Sequence, residues 1–438
     1  MSEAERAFLA TAATPSDTTD ILKHQLATSP LIAYSALVTH HPKEFPSRGL
    51  LGSIVSASAD VGDVVYSNIH APSSTVVCGV QGSGKSHTVS CMLESALIQD
   101  PRIGELPNPL SALLFHLDTQ DNGRPCEAAH ISSQGCHDID PTTLPKVIVF
   151  CSPSNATQRK KAYAGMPHVW VEPLYLPEAA LTVNVMLAIM GCEQLGAMPL
   201  YMHTVLNIIR AIGVDHFTYR EFKRRLDREQ LDGKQKAMIK LRLDLLDGLV
   251  RPKSVPLDSH FIPGGLVIVD LTDPFVDAST AAVLFDAVLA SFTRWNTNCG
   301  KVVVLDEAHK YLKSSDSERL KESICNIIRL QRHLGMRVII ATQEPTVVPA
   351  TILDLASVII CHRFSSPAWC AHLAKHVSDP KADWYDEVML LATGDAIVFS
   401  PAALVDASGY NLLGRHHLTI RVRPRLTQDG GMSALAAK

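Results

Sequence analysis

Apolar positions along the chain fall into two periods. Short, nearly continuous apolar runs stand at 112–117 (ALLFHL), 146–151 (KVIVFC), 265–271 (GLVIVDL), 301–305 (KVVVL), 337–342 (RVIIAT) and 358–361 (VIIC). Briefer runs stand at 169–171, 396–399 and 418–422. Runs of this length with no polar alternation predict strands covered on both faces. Between them, 278–295 and 318–334 carry apolar residues at helical spacing. Buried strands alternating with helices predict an α/β fold: a mostly parallel sheet with helices on both faces.

The period changes between 176 and about 250. LPEAALTVNVMLAIM, PLYMHTVLNIIRAIG, YREFKRRLDREQL and KQKAMIKLRLDLLDGLV repeat at helical spacing and have few strand features. They predict an inserted helical subdomain of about four helices. Before the sheet pattern begins, LIAYSALV, GLLGSIVSAS and DVVYSNI read as short strands broken by Pro, Gly and Asp. They predict a small β-layer or extra strands beside the core. The expected organisation is a partly disordered N-terminal extension at 1–64, a first half-core at 65–175, the helical insertion at 176–258, a second half-core at 259–425 and a disordered tail at 426–438.

Composition narrows the class. At 438 residues, 46% hydrophobic and 19% charged, the chain can build a large globular core. Its net charge of −4 means that any nucleic-acid contact depends on a local basic patch, not a bulk field. The ten cysteines are scattered, with Cys78, Cys151 and Cys361 inside apolar runs, the usage of reduced buried thiols. The N-terminal stretch lacks a signal-peptide pattern, and no apolar run reaches the ~18 residues that a membrane span needs. The expectation is an intracellular protein, cytoplasmic or nuclear, with no membrane partner.

The chemistry starts at 74–90, STVVCGVQGSGKSHTVS. An apolar run leads into Gly79-Val80-Gln81-Gly82-Ser83-Gly84-Lys85-Ser86, followed by His87 and an apolar segment. This is P-loop spacing in its strand-loop-helix setting. The glycines let successive backbone N–H groups point into one concavity, and the helix that starts near Lys85 adds its positive end. Lys85 can reach the β- and γ-phosphates of ATP, and the Ser86 hydroxyl can ligate Mg²⁺. Residues 79–87 are thus the expected ATP-binding loop.

A second anchor is Val302-Val303-Val304-Leu305-Asp306-Glu307, the Walker B pattern. Asp306 is expected to hold Mg²⁺, and Glu307 to serve as general base for the attacking water. The Asp-Glu pair points to hydrolysis rather than mere binding. A third is Gln343, at the tip of RVIIAT, placed to sense the γ-phosphate. Charge that builds on the transferred phosphoryl calls for arginine. Arg329, Arg332, Arg337 and Arg363 flank the Gln343 strand, and spacing does not choose among them.

Three further clusters carry less. Residues 220–242 hold nine basic against four acidic side chains; the acids interleave at helical spacing, which favours a solvated helix face over a polyanion contact. Arg415, Arg421, Arg423 and Arg425 form a second basic cluster. Cys126, His130, Cys136 and His137 are zinc-ligand types at a spacing that fits no compact knuckle.

Taken together, GVQGSGKS (79–86), VVVLDEAH (302–309), RHLGMRVIIATQEP (332–345) and ATGDAIVF (392–399) resemble the HerA/FtsK superfamily of P-loop ATPases. The resemblance covers roughly 65–400. It implies a RecA-like core, ATP and Mg²⁺ as ligands, hexameric rings with interfacial active sites, and DNA as the polymer moved. It puts Gln343 in the sensor place and Arg332 in that of a functional arginine, with Arg363 as a second candidate; Glu307, Gln343, Lys85, Arg332 and Arg363 make up the implied catalytic set. The finer wording, QGSGKSH, DEAHKY, QRHLG and TQEPT, is similar to uncharacterised fungal P-loop proteins and implies a eukaryotic cytosol or nucleus. The rival expectation is a nucleotide-dependent switch or scaffold that hydrolyses slowly and binds protein partners through the helical insertion.

Overall fold

The computed structural model describes residues 27–39, 45–55, 63–135, 138–178, 181–189, 200–213, 216–251, 255–313, 317–377, 384–405 and 412–430. The expectations for residues 1–26, for Cys136 and His137, and for 431–438 lie outside these.

Among the described residues, fourteen strands form one sheet. In chain order they are β1 Leu31–Ala33, β2 Arg48–Ile54, β3 Val64–Asn68, β4 Ser74–Cys78, β5 Gly104–Glu105, β6 Ser111–His116 and β7 Val147–Cys151. There follow β8 Val169–Pro173, β9 Leu266–Asp270, β10 Lys301–Leu305, β11 Met336–Thr342, β12 Val358–His362, β13 Asp395–Phe399 and β14 His417–Val422. The spatial order is β1-β3-β2-β14-β13-β12-β4-β11-β10-β6-β9-β7-β8, with β5 beside β2. From β12 to β8 every pairing is parallel. From β12 outward to β1 every pairing is antiparallel.

This is the expected mostly parallel α/β sheet, and β11 lies between the P-loop strand β4 and the Asp306 strand β10. The reason is visible in the side chains. Each central strand divides its apolar residues between two faces at period two. Val76, Leu113, Phe115, Val303 and Ile340 face one core; Val77, Ala112, Leu114, Val304 and Ile339 face the other. The first face is covered by Ala278–Arg294, Glu318–Leu334 and helices of the 183–249 region. The second is covered by the P-loop helix Lys85–Leu97.

The segments at 31–68 extend this same sheet rather than forming a separate layer. LIAYSALV is not one strand: after Ala33 it turns into the helix Tyr34–Thr39, because Ala36 and Leu37 bury against Ile32, Phe45 and Leu404. The expected tail also begins too early. Leu426 and Thr427 are buried, and Thr427 bridges to Gln134, so the packed chain continues past 425. Helices run through 183–249 as expected: Val183–Ile189, Leu200–Ile212, Tyr219–Leu226 and Gly233–Leu249.

The charged clusters resolve into ion pairs. In 220–242, Arg224 and Arg225 both reach Glu221, and Lys223 reaches Asp247, which is the solvated-face reading. Arg423 and Arg425 are buried against Glu94 and Glu127, and Arg421 pairs with Asp395. Those three do not offer a free basic surface.

Candidate active site

The carboxyl ends of β4, β11, β10 and β6 open on one cleft of about 460 Å³. In parallel sheets the crevice beyond the strand ends is where ligands sit. Gln81, Ser86, His116, Asp306, Glu307 and Gln343 are among its walls.

The P-loop has the backbone that phosphate binding needs. Gly79, Gly82 and Gly84 have φ of 152, 73 and 115°, a region that side chains with Cβ avoid. A Cβ on Gly79 would also meet the His362 Cβ at 2.7 Å. Ser83 Oγ donates to the Val80 carbonyl at 2.7 Å, and Lys85 Nζ donates to the same oxygen at 2.9 Å. The loop is thus closed on its own lysine. Lys85 is 5% exposed, and burial pulls its pKa down against the opposing pull of Glu307 and Asp306. A buried ammonium that donates to one carbonyl and lies in the field of two carboxylates can turn its N–H groups to phosphate oxygens instead.

At the tip of β10 the chain turns sharply. Glu307 takes φ 48°, a left-handed conformation that costs a non-glycine residue about 1–2 kcal/mol. The turn brings its carboxylate to β11, where Gln343 Nε2 donates to Glu307 Oε2 at 2.7 Å. His309 Nδ1 lies 3.3 Å from the same oxygen. Asp306 is held by His116, whose Nδ1 lies 3.3 Å from its Oδ2, while Tyr311 donates to its backbone carbonyl. Burial pulls the His116 pKa down, but the Asp306 contact and the nearby Asp270 charge outweigh it and raise the value. The two carboxylates therefore have different partners: one meets an imidazole, the other an amide and an imidazole.

The Ser86 hydroxyl position and the Asp306 carboxylate share the cleft and are hard oxygen donors of the kind Mg²⁺ takes. His87 is drawn aside, with Nε2 against the Arg423 carbonyl at 2.8 Å. Arg363 stands at the site edge: its carbonyl accepts from Val80 N at 3.1 Å and its side chain is exposed. Arg332 does not come to the cleft. It is exposed near the end of Glu318–Leu334, ahead of β11, and so sits at the opposite edge of the sheet. Arg337, also at that edge, is buried and donates to the carbonyls of Gly335 and His70.

Other cleft residues escaped the sequence reading. His116 and Asp118, at the end of β6, line the cleft, and Asp270, which closes β9, lies behind its wall. Polar residues at the tips of buried parallel strands were the available clue. Asp270 is fully buried and accepts from Arg159, Tyr163 and Thr272, a satisfied network behind the cleft wall. No sequence clue pointed to Gln428, Asp429 and Gly430, which line the cleft from the far end of the chain. They are brought there by Glu94 of the P-loop helix. Its fully buried carboxylate accepts from Arg423 Nη1, the backbone N–H groups of Leu426 and Thr427, and Thr427 Oγ1.

Comparison with known proteins agrees with this architecture. Residues 272–365 match the family described as Zonular occludens toxin (Zot). VirB4 of Thermoanaerobacter pseudethanolicus is similar in structure, with TM-score 0.54 and 11% identity, over 86% of this chain and 97% of that one. The bacterial conjugative coupling protein TrwBdeltaN70 gives TM-score 0.46 at 13% identity, over 82% and 87%. The genome packaging NTPase B204 of Sulfolobus turreted icosahedral virus 2 gives 0.33 at 11%, over 81% and 98%. Only the first of these likenesses supports a fold assignment, and with the sheet order it makes the fold that of a RecA-like P-loop NTPase. No curated protein matches the chain. These matches lend no support to the fungal wording. Among the described residues no helix is long and apolar enough to cross a membrane.

Proposed function

We propose that this chain is an Mg²⁺-dependent ATPase of the HerA/FtsK type that works as an oligomeric motor on DNA. The observation that carries the hydrolytic part is the 2.7 Å contact between Gln343 and Glu307 at a cleft that Ser86 and Asp306 also line, with Lys85 buried in the P-loop within the field of both carboxylates. The backbone of 79–87 and Lys85 take the phosphates. Ser86 and Asp306 would hold Mg²⁺, which would supply neutralisation of the phosphate charge. Glu307 accepts a proton from the attacking water, and Gln343 keeps its carboxylate aimed and reports the γ-phosphate. Lys85 exchanges the Val80 carbonyl for phosphate oxygens as ATP enters.

The DNA part rests on the superfamily resemblance. VirB4 supports it only through the shared fold. Arginine would reach the γ-phosphate from a neighbouring subunit. Arg332, on the edge away from its own cleft, can serve only in that way; Arg363 stands at its own P-loop.

The test is ATP turnover by the full chain with and without DNA, together with mass measurement of Glu307→Gln plus ATP. A ring that retains DNA, and turnover that DNA accelerates, are expected. ATP turnover with no response to DNA and no assembly would leave the nucleotide-dependent switch as the better reading. Unchanged turnover in Arg332→Ala would remove Arg332 from the site.

A further inference from the structure

Of the zinc-type residues picked out in the sequence, Cys126 and His130 lie among the described residues. Cys126 meets two residues from strand ends. A ring nitrogen of His116, Cys126 Sγ and a carboxylate oxygen of Asp306 all lie within 4.8 Å of one another. His116 is the last residue of β6, Asp306 follows β10, and Cys126 precedes the helical turn Glu127–Ser132. The three come from neighbouring strand tips and the loop crossing them, so the backbone fixes their approach. His130, on the same turn as Cys126, lines the cleft too, and its buried Nδ1 has no hydrogen-bond partner among the described residues.

We propose that His116, Cys126 and Asp306 form a second cation site, for a soft divalent ion such as Zn²⁺, which shares Asp306 with the Mg²⁺ site and excludes Mg²⁺ when filled. The donor types decide the class. Nitrogen, sulfur and one carboxylate oxygen select a borderline-soft ion, whereas Mg²⁺ takes oxygen and avoids thiolate. The fit is close. Metal arms of about 2.0–2.3 Å set donor separations near 3.5 Å in a tetrahedron, so less than about 1.5 Å of closure completes the three-ligand set. The fourth position opens on the cleft, and the unpartnered His130 Nδ1 lies along the same wall. Cys126 is 2% exposed, and burial, with the charges of Asp306 and Asp270, keeps its thiol protonated without metal. Binding therefore releases to solvent the thiol proton and any proton held between His116 and Asp306, and affinity rises with pH.

A filled site ties up the carboxylate that the ATPase reading gives to Mg²⁺, so Zn²⁺ would act as an inhibitor. The inference goes beyond that reading, and its spectroscopic arm needs no ATP.

The test uses the full chain and Co²⁺ as a visible stand-in for Zn²⁺. One Co²⁺ per chain should bind, with the charge-transfer absorption of a thiolate ligand. Cys126→Ser should lose that absorption and bind at least tenfold more weakly. His116→Asn should also weaken binding, which keeps the test open if the cysteine variant misfolds. Zn²⁺ at one equivalent should stop ATP turnover of the unaltered chain in excess Mg²⁺ and spare Cys126→Ser. Absence of the thiolate band, its persistence in both variants, or equal Zn²⁺ inhibition of the unaltered chain and Cys126→Ser would overturn the site.

Discussion

Glu94→Gln tests the least expected feature of the site, the anchoring of the chain's far end to the P-loop helix. The Glu94 carboxylate is fully buried and receives Arg423 Nη1 at 2.7 Å, Leu426 N at 3.0 Å, Thr427 N at 2.9 Å and Thr427 Oγ1 at 2.6 Å. The amide keeps one acceptor oxygen but turns an NH₂ toward Arg423 or the Leu426 and Thr427 N–H groups, donor against donor. Removing one partner of a buried ion pair costs about 3–5 kcal/mol. Arg423 keeps other acceptors, the carbonyls of Leu50, Cys91 and Pro424, which moves the expected loss to about 3 kcal/mol. The assay is the denaturant midpoint at constant m, with hydrogen exchange read along 423–430 and the P-loop helix. Both segments should lose protection together, because one carboxylate holds them. Arg423→Met combined with Glu94→Gln should cost less than the sum of the two single changes, since the double variant leaves no unpaired buried charge. A loss below about 1 kcal/mol, or additive costs, would refute the reasoning.

Gln343→Ala removes the 2.7 Å donor to Glu307; ATP turnover should fall roughly 10–100-fold with ATP affinity nearly unchanged, read by steady-state kinetics and equilibrium binding. Gly84→Ala forces a Cβ into φ 115°, where the nearest atoms of Gly394 stand 3.3 Å away; stability should drop by about 1–3 kcal/mol and ATP binding should weaken, read by denaturant titration and calorimetry. His362 is buried between Thr88 Oγ1 and the Asp395 carbonyl, and burial lowers its pKa to about 4 from 6.5. The unfolded chain binds that proton first, so its contribution is present above pH 6.5 and is lost as pH falls toward 4, about 3 kcal/mol in all. His362→Gln should flatten the denaturant midpoint between pH 7 and pH 4; an unchanged slope would show that other groups set it.

Much of this could be read from residue order alone, for a local reason. A P-loop is a strand, a glycine turn and a helix start in one short stretch, so 79–86 was legible in place. The helix 318–334 and the strand 301–305 were predicted at the bounds observed, because period and capping are properties of neighbouring residues. LIAYSALV misled because its apolar run fits a strand or a helix, and only Phe45 and Leu404 decide where the switch falls.

Sequence by itself singled out the residues to which the proposed function gives phosphate, carboxylate and amide chemistry: Lys85, Ser86, Asp306, Glu307 and Gln343. The tertiary structure alone decided their company. Inserting β11 between β4 and β10 is a matter of pairing across long loops, and it brings Gln343 onto Glu307. Folding 423–430 back onto Glu94 adds a wall to the cleft from more than 300 residues away. It also separated residues that looked alike, sending Arg332 to the far edge and Cys126 to His116 and Asp306. Local order encodes period and chemistry because those depend on adjacent side chains. Which strand tips become neighbours depends on how all the apolar faces are buried at once, and no short stretch contains that information.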